Sequence, residues 1–367
     1  MKVTVLSHNL STNAVMRAQR LALAARTFAD VELVGPMERR GPWPALPPTA
    51  WVRTVPEKRF PEFATSFLEL LEAVDGDYVL AVKPQLASFG AALVVAERRQ
   101  VPLVLDIDDL DTALAPRSQW SSDPEKANPE RPASAVYVSL LTKATGAAAA
   151  ITVASTALQH RFGGTLMPHG ADTELFDPAG IDRLAERRAL GFSGPTVVFP
   201  GTPRSHKGVG VLAEAVARIP GARLGVLCRP ADLAAPEWRR FPLDRIPMMP
   251  STSLPGLLAA ADVVAIPQLD DEAGRHQMPM KVFDAMAMAK PIVATLVSDL
   301  PEVLDGCARL VPPGDVDALA SALKELFNDP RAADELGRRA RARCLDRYSI
   351  PRLGEILRRV LTRARGG

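Results

Sequence analysis

The chain has 367 residues, which is more than one ordinary hydrophobic core accommodates and predicts two domains. Apolar residues make up 47% and charged residues 23%, with a net charge of +2, so the composition is that of a soluble globular protein without the basic excess of a nucleic-acid binder. Three widely spaced cysteines argue against a disulfide framework or a zinc site and indicate a reduced, cytoplasmic protein.

Short apolar strands alternate with helical stretches from the first residues onward, and we expect no signal peptide and no membrane span. Predicted strands in the first half are 2–7, 31–36, 77–84, 102–109, 147–155 and 164–170. Those in the second half are 195–201, 222–230, 246–251, 261–267, 290–296 and 307–314. Continuous apolar strands with helix-length connections are typical of parallel sheets. We therefore predict an α/β protein with two doubly wound, Rossmann-like domains that face each other across a cleft.

Two proline-rich segments interrupt this alternation, at residues 41–61 and 115–135. Both are longer than simple connections between a strand and a helix. They are either surface loops or functional loops, such as a lid or an acceptor-binding loop, and both interpretations stay open.

A cationic loop follows the first strand of the second half. In FPGTPRSHKG, Gly201, Arg204 and Lys207 lie between a strand and a helix that begins near Gly208. A strand, a glycine-containing loop and a helix N-terminus form the usual geometry for binding phosphate. The loop is not a Walker loop, because the GK[ST] signature is missing. GxGxxG is missing as well, which argues against a nicotinamide cofactor. The alternative is that the two cations are merely solvated.

The segment MPMKVFDAMAMAKPIVA predicts a helix that begins after Pro279 and has one apolar face. Lys281 and Asp284 lie in its first turn, on another face. An ion pair between them, together with the helix dipole, worth about 0.3–1 kcal/mol, would explain both residues without a ligand. The functional alternative is a carboxylate that accepts hydrogen bonds from a ribose diol, beside the free amides of the first turn.

The second half resembles the donor domain of GT-B glycosyltransferases, in particular glycosyltransferase family 4, the glycosyl transferases group 1. The resemblance covers about residues 165–325 and rests on segments in the family's order: MPHGADTELFDP, FPGTPRSHKG, LLAAADVVAIP, MPMKVFDAMAMAKPIVAT, SDLPEVL and VPPGD. It implies an acceptor-side domain at 1–170, a donor domain at 171–348 and a C-terminal helix, 349–365, that packs back on the first domain.

The implied reaction moves a sugar from a nucleoside-diphosphate sugar to an unknown glycan, lipid or small-molecule acceptor, in polysaccharide or glycoconjugate biosynthesis. It would retain configuration and need neither a metal nor a cofactor. The donor-binding residues implied by the resemblance are Gly201, Arg204, Lys207, Met249, His276, Lys281, Asp284 and Glu302. A nucleotide-sugar epimerase and a non-catalytic nucleotide-sugar binder remain alternatives.

Within that set, Arg204 and Lys207 would hold the diphosphate, and they would act in catalysis by stabilising it as it leaves. Asp284 stands at the second glutamate of the family's E-x7-E motif, which binds the ribose. The first glutamate, which positions the donor sugar, falls on His276 and so departs from the family. The residues that could replace it are Asp270, Asp271, Glu272 and His276 itself.

The first half supplies candidates for the acceptor side. His8, Asn13 and Arg17 follow the first strand, and Asp108 and Asp109 follow another in DIDDLD. His8 is alternatively structural, and Arg17 alternatively lies on the surface. The two aspartates cap a turn, act in catalysis by contacting the acceptor hydroxyl or stabilising charge, or bind a metal as Asp-x-Asp. We disfavour the metal because the cationic loop can neutralise the diphosphate.

The C-terminal segment IPRLGEILRRVLTRARGG is amphipathic, with an apolar stripe and several arginines elsewhere. Packing on the first domain is the expected role of the stripe. The alternative is adhesion to an anionic membrane surface, which would place a cytoplasmic protein peripherally at the inner face of the membrane.

Overall fold

A computed structural model of the chain describes residues 1–44, 46, 50–114, 128–234 and 236–366. The chain divides into two compact units, the first made of Met1–His169 and Ile350–Gly367 and the second of Gly170–Ser349. Each contains one parallel sheet with helical connections, which confirms the predicted fold class of two doubly wound α/β domains. The three cysteines are buried free thiols.

The first unit contains a sheet with the strand order β3-β2-β1-β4-β5-β6-β7. Its strands are β1 (Lys2–Ser7), β2 (Asp30–Met37), β3 (Val52–Pro56), β4 (Tyr78–Val82), β5 (Leu103–Ile107), β6 (Ala150–Val153) and β7 (Thr165–Leu166). Its helices are α1 (Val15–Arg26), α2 (Phe63–Ala73), α3 (Ala91–Arg99), α4 (Asp111–Leu114), α5 (Ala135–Lys143) and α6 (Thr156–Phe162), with a final helix from the end of the chain.

The second unit contains a sheet with the order β10-β9-β8-β11-β12-β13. Its strands are β8 (Thr196–Phe199), β9 (Arg223–Leu227), β10 (Leu243–Ile246), β11 (Val263–Ile266), β12 (Ile292–Thr295) and β13 (Arg309–Val311). Its helices are α7 (Arg183–Ala189), α8 (Val209–Ala217), α9 (Leu254–Ala260), α10 (Glu272–His276), α11 (Met280–Ala287), α12 (Leu300–Val303), α13 (Val316–Asn328) and α14 (Pro330–Arg347).

The strand order reverses beside the first strand of each sheet, between β1 and β4 and between β8 and β11. In open α/β sheets, ligands bind beyond the carboxyl ends of the strands at such switch points. The loops that leave these strands are therefore the places where each unit is expected to hold a ligand.

Strand β3 corrects the interpretation of residues 41–61 as a loop. It pairs in parallel with β2, from Leu33 opposite Val52 to Met37 opposite Pro56. Among its residues only Val55 is buried, because β3 is the edge strand, so the apolar run that reveals a central strand is missing. In the second proline-rich segment, residues 115–127 lie outside the described residues.

Strand β10 corrects the predicted strand at 246–251. The strand is Leu243–Ile246, in which two of the four residues are charged, and it pairs with β9 at the edge of the sheet. Pro247 and Pro250 have no backbone N–H to donate to a ladder, so the apolar residues between them leave the sheet. Met248 and Met249 instead pack, partly buried, against the core of the second unit.

The final helix, α15 (Ile350–Gly366), packs its apolar stripe against α1 of the first unit. Leu353 and Leu357 are fully buried there, and a Cβ on Gly354 would lie 2.8 Å from the carbonyl oxygen of Ala24. The helices therefore approach as closely as a glycine permits. Since this contact covers the apolar stripe, the membrane alternative loses the face on which it relied.

Candidate functional site

The cationic loop lies at the switch point of the second unit, after β8 and before α8. Gly208 has φ of +63°, and a Cβ on it would collide with the carbonyl oxygen of Pro267, which follows β11. The chain can therefore pass this close to the end of β11 only with glycine at that position. Arg204 is exposed, and Lys207 Nζ lies 4.0 Å from where a Cβ on Gly201 would be.

Two hydrogen bonds join this loop to the segment that enters α11. The carbonyl oxygen of His206 accepts a 2.8 Å bond from Leu269 N. His206 Nε2 lies 3.1 Å from Gln277 Oε1, and since an amide oxygen only accepts, Nε2 is the donor. Gln268, buried beneath, donates to the carbonyl oxygens of Gly274 and Gln277. The cationic loop and the N-terminus of α11 thus form one connected edge of the second unit.

The charged pair at the start of α11 is present in the structure. Lys281 Nζ lies 3.3 Å from Asp284 Oδ2. The expectation that Asp284 lies off the buried face is wrong, because its side chain is only 1% exposed, whereas that of Lys281 is 26% exposed. The helix is covered from Val282 onward, so its first turn presents the ammonium rather than the carboxylate.

Helix α10 contains the residue at the first glutamate position of the E-x7-E motif. Asp271 caps this helix by accepting a 2.7 Å bond from Gly274 N, and Asp270 pairs with Arg275 at 2.7 Å. His276 Nδ1 lies 2.8 Å from the carbonyl oxygen of Glu272, which can only accept, so Nδ1 carries the proton. Asp270 and Asp271 are therefore engaged in holding α10, whereas His276 has a ring oriented by its own helix.

The remaining donor-side candidates are Met249 and Glu302. Met249 is half-buried after β10, as part of the apolar packing described above. Glu302 is exposed on α12, and its backbone carbonyl accepts a 2.7 Å bond from Arg343 Nη2. The exposed carboxylate of Glu302 lies beyond the end of β12, on the same sheet edge as the cationic loop.

In the first unit, Arg17 is buried and the surface alternative for it is wrong. Its guanidinium makes a bidentate pair with Asp106 at 2.9 and 2.8 Å, and both side chains have no exposed surface. It also donates to the carbonyl oxygens of Met167 and Pro168 at 2.8 and 3.1 Å. Thr152 Oγ1 donates to Asp106 at 2.7 Å. Arg17 therefore connects α1, β5 and the residues that follow β7 within this unit.

Asp108 and Asp109 surround a buried lysine that the sequence analysis did not single out. Lys83 Nζ lies 3.0 Å from Asp108, 2.7 Å from Asp109 and 2.9 Å from Asp111. Lys83 is only 4% exposed, and its φ of +69° is in the left-handed region. An ammonium thus occupies the position between the carboxylates that a cation would take in the Asp-x-Asp interpretation. Among the described residues, no group of three or more His, Cys, Asp or Glu has the geometry of a metal site.

These charges shift one another's protonation. Burial alone would lower the pKa of Lys83, but Asp108, Asp109 and Asp111 raise it well above its usual value. Burial, opposed by Lys83 and reinforced by Asp109, raises the pKa of Asp108 to about 7. The site therefore contains a carboxyl group that titrates near neutral pH, with a permanently charged ammonium beside it.

The other two acceptor-side candidates lie in the turn after β1. Burial lowers the pKa of His8 to about 4, so its ring is neutral at physiological pH. Asn13 is exposed in the turn before α1, where its carbonyl oxygen accepts from Met16 N. The residues that sequence reasoning missed are Lys83, Asp106 and Asp111, and the one available signal was their common position at the ends of β4 and β5.

Residues 194–329 match the family of glycosyl transferases group 1, which confirms the resemblance inferred from the motifs. The chain is 32% identical over 196 residues to MMP alpha-(1->4)-mannosyltransferase of Mycolicibacterium hassiacum, covering 50% of this chain and 44% of that protein. It is 33% identical over 227 residues to GDP-mannose-dependent alpha-(1-6)-phosphatidylinositol monomannoside mannosyltransferase of Mycolicibacterium smegmatis, covering 55% and 56%. The chain thus spans about half the length of the curated relatives that it matches.

Solved structures resemble the chain over its whole length. Sucrose-phosphate synthase of Thermosynechococcus elongatus aligns with a TM-score of 0.73 at 18% identity, covering 100% of this chain and 99% of that one. HepE of Anabaena, in complex with UDP and glucose, aligns with a TM-score of 0.72 at 17% identity, covering 99% of each chain. These likenesses confirm the GT-B fold. Within the described residues, every helix is too short or too polar to cross a membrane.

Proposed function

We propose that this chain, a GT-B protein whose residues 194–329 match the glycosyl transferases group 1, is a glycosyltransferase that uses a nucleoside-diphosphate sugar. The observation that supports this best is the cationic loop with Arg204 and Lys207, which lies at the switch point of the second unit and inside the matched segment. Oriented backbone amides and cations at such a position suit a diphosphate.

The catalytic role of the loop is to stabilise the leaving group. As the bond between the anomeric carbon and the diphosphate breaks, negative charge grows on the diphosphate oxygens. Arg204 and Lys207 would lie near that charge, so they would stabilise the transition state more than the bound donor. Because these cations can neutralise the diphosphate, we propose that the transfer does not require a metal ion. Retention of the configuration of the sugar is proposed from the resemblance to the family alone.

At the start of α11, the pair of Lys281 and Asp284 completes the donor site. The ammonium faces the solvent side of the first turn and would contact the nucleotide, while Asp284 accepts from it and holds it in place. In this proposal Asp284, at the position of the family's second glutamate, acts on the ribose indirectly, through the Lys281 ammonium that it holds. His276, at the position of the family's first glutamate, would lie near the donor sugar, and its ring is oriented by the bond from Nδ1 to the carbonyl oxygen of Glu272.

The acceptor side belongs to the first unit, where Asp108 and Asp109 would contact the hydroxyl that attacks. The relatives are named as mannosyltransferases, one of them GDP-mannose-dependent and acting on a phosphatidylinositol monomannoside, and this favours transfer over epimerisation or mere binding. HepE was solved with UDP and glucose, so these likenesses point to a nucleotide sugar without choosing its base. A glycan or a lipid-linked sugar suits the acceptor, and a lipid would place the chain at a membrane surface.

The test is a binding and turnover screen with UDP, GDP, ADP, dTDP and CMP and their common sugars, with and without EDTA. We expect one nucleoside diphosphate to raise the melting temperature regardless of EDTA. Lys207→Met should weaken its binding by about 1–3 kcal/mol, because a hydrogen bond to a charged group is lost. Lys324→Met, on the exposed side of α13, is the matched control. Equal binding by both variants, or no binding by the natural protein, would overturn the donor site.

A further inference from the structure

The outer side of the final helix, α15, concentrates positive charge. Residues 350–367 contain five arginines, one glutamate and no lysine or aspartate, whereas the whole chain has a net charge of only +2. The side chains before this segment therefore carry a net negative charge, so the positive charge of α15 is a local feature. The five arginines, which are all exposed, are Arg352, Arg358, Arg359, Arg363 and Arg365.

The helical repeat arranges these arginines in two rows on the side of α15 that faces away from α1. Arg352, Arg359 and Arg363 follow one another at spacings of seven and four residues and form one row. Arg358 and Arg365, seven residues apart, form the other. At a rise of 1.5 Å per residue the rows extend over about 20 Å. Because arginine side chains are long, both rows can reach one flat surface outside the helix. We call these five residues the arginine face.

Most of this charge is not neutralised within the protein. Arg352 pairs with Glu355 at 3.1 Å, but no described carboxylate forms an ion pair with the other four arginines of the face. The arginine-rich helix α14 of the second unit differs, because Arg338 and Arg339 there both pair with Glu335. An abundance of arginine therefore does not by itself leave these side chains unpaired.

The helix dipole accounts for only part of the arginine face. Arg363 and Arg365 lie in the last turn of α15, where the partial negative charge of the helix end favours cations. Arg358 and Arg359 lie more than a turn earlier, and the effect of the dipole falls off within the last turn. Neither the fold nor the dipole thus explains why these two positions are cationic.

The chemistry of the arginine face suits a layer of phosphate groups. A guanidinium group donates two parallel hydrogen bonds to phosphate oxygens. Within the described part of α15 no large apolar side chain is exposed, and the apolar stripe is packed on α1, so binding would be electrostatic. The helix has no aromatic, asparagine or glutamine side chain to stack on bases or read their edges, which disfavours a nucleic acid.

We propose that the arginine face of α15 binds the anionic phospholipid headgroups of a membrane surface, and that no part of the helix enters the hydrocarbon layer. Clusters of four to eight cations on an amphipathic helix are typical of such binding. The inference goes beyond the proposed function, because it concerns a surface of α15 alone and needs neither the cationic loop nor a particular sugar. Since the contact is electrostatic, salt should reverse it.

The test is co-sedimentation of the full chain with vesicles of phosphatidylcholine alone and of phosphatidylcholine and phosphatidylglycerol in equal parts. We expect binding to the anionic vesicles only, and its loss as the salt concentration is raised. The quadruple variant Arg358→Gln, Arg359→Gln, Arg363→Gln and Arg365→Gln should weaken this binding about tenfold or more. Its affinity for a nucleoside diphosphate should equal that of the natural protein, so failure of the donor site and failure of this surface are separate results.

The matched control removes the same amount of charge from exposed positions of α14, in the variant Arg331→Gln, Arg338→Gln, Arg339→Gln and Arg347→Gln. We expect this variant to keep its binding to anionic vesicles. An equal loss in both variants would overturn the proposal, because binding would then follow net charge and not the arginine face.

Three further results with the natural protein would also overturn the proposal. They are no binding to anionic vesicles, binding that persists at high salt, and tighter binding to duplex DNA than to the vesicles at the same salt concentration. The last result would assign the arginine face to a nucleic acid. These measurements need no substitution, so they keep the test valid should the quadruple variant of α15 fail to fold.

Discussion

The carboxyl edges of the two sheets use charge in opposite ways. At the edge of the first unit, Arg17 and Lys83 are buried and bonded to the carboxylates of the same unit. At the edge of the second unit, Arg204 is exposed and Lys207 is half-buried in the cationic loop. Lys281 is half-buried in the first turn of α11. The first edge is thus an internal ion network, whereas the second presents positive charge outward. The same topology therefore holds the charges of this edge inside the fold in one unit and at the surface in the other.

The largest effect is expected from breaking the network of the first unit at Asp106. Asp106→Asn leaves the Arg17 guanidinium charged and buried without its counterion, which should lower the free energy of unfolding by about 3–5 kcal/mol. Urea unfolding measures this. Asp317→Asn is the control, since its pair with Arg218 is exposed and should cost below about 1 kcal/mol. Equal effects of the two substitutions would contradict the ion network.

A smaller effect, dependent on pH, is expected from Asp108. Its pKa rises from 3.8 to about 7 on folding, so the folded state binds more protons in that interval and stability falls as the pH rises through it. The Asp108→Asn variant has no carboxyl group at this position to ionise. Between pH 5 and pH 8 its free energy of unfolding should therefore fall by about 2 kcal/mol less than that of the natural protein. Urea unfolding at both values measures this, with the exposed Asp30→Asn as the control. Parallel pH profiles for Asp108→Asn and the natural protein would refute the shift.

The smallest effect concerns the outward charge of the second unit. Lys281→Met removes the half-exposed ammonium from the first turn of α11, and nucleoside diphosphate binding should weaken by about 1 kcal/mol. Isothermal titration calorimetry measures this, and Lys324→Met is again the control. If only the melting temperature changes, the ion pair with Asp284 serves the helix and not the ligand.

The sequence predicted the sheets well because central parallel strands are continuous apolar runs between helix-length connections. It failed at one edge of each sheet, because β3 has a single buried residue and two of the four residues of β10 are charged, so neither strand shows that apolar run. It located the cationic loop because a glycine, a strand and a helix start are adjacent in sequence. It did not find Lys83, whose three partners lie 25 to 28 residues away and whose left-handed backbone is not encoded by a glycine.

The contact between α15 and α1 has a consequence for how the protein is made. The first unit is discontinuous in sequence, because Gly170–Ser349 is inserted before the helix that completes it. During synthesis, all residues of the second unit are made before α15. The surface of α1 that α15 covers therefore stays exposed while the second unit can already fold. We therefore expect the second unit to reach its native structure first, because the first unit needs α15, which follows the second unit in the sequence.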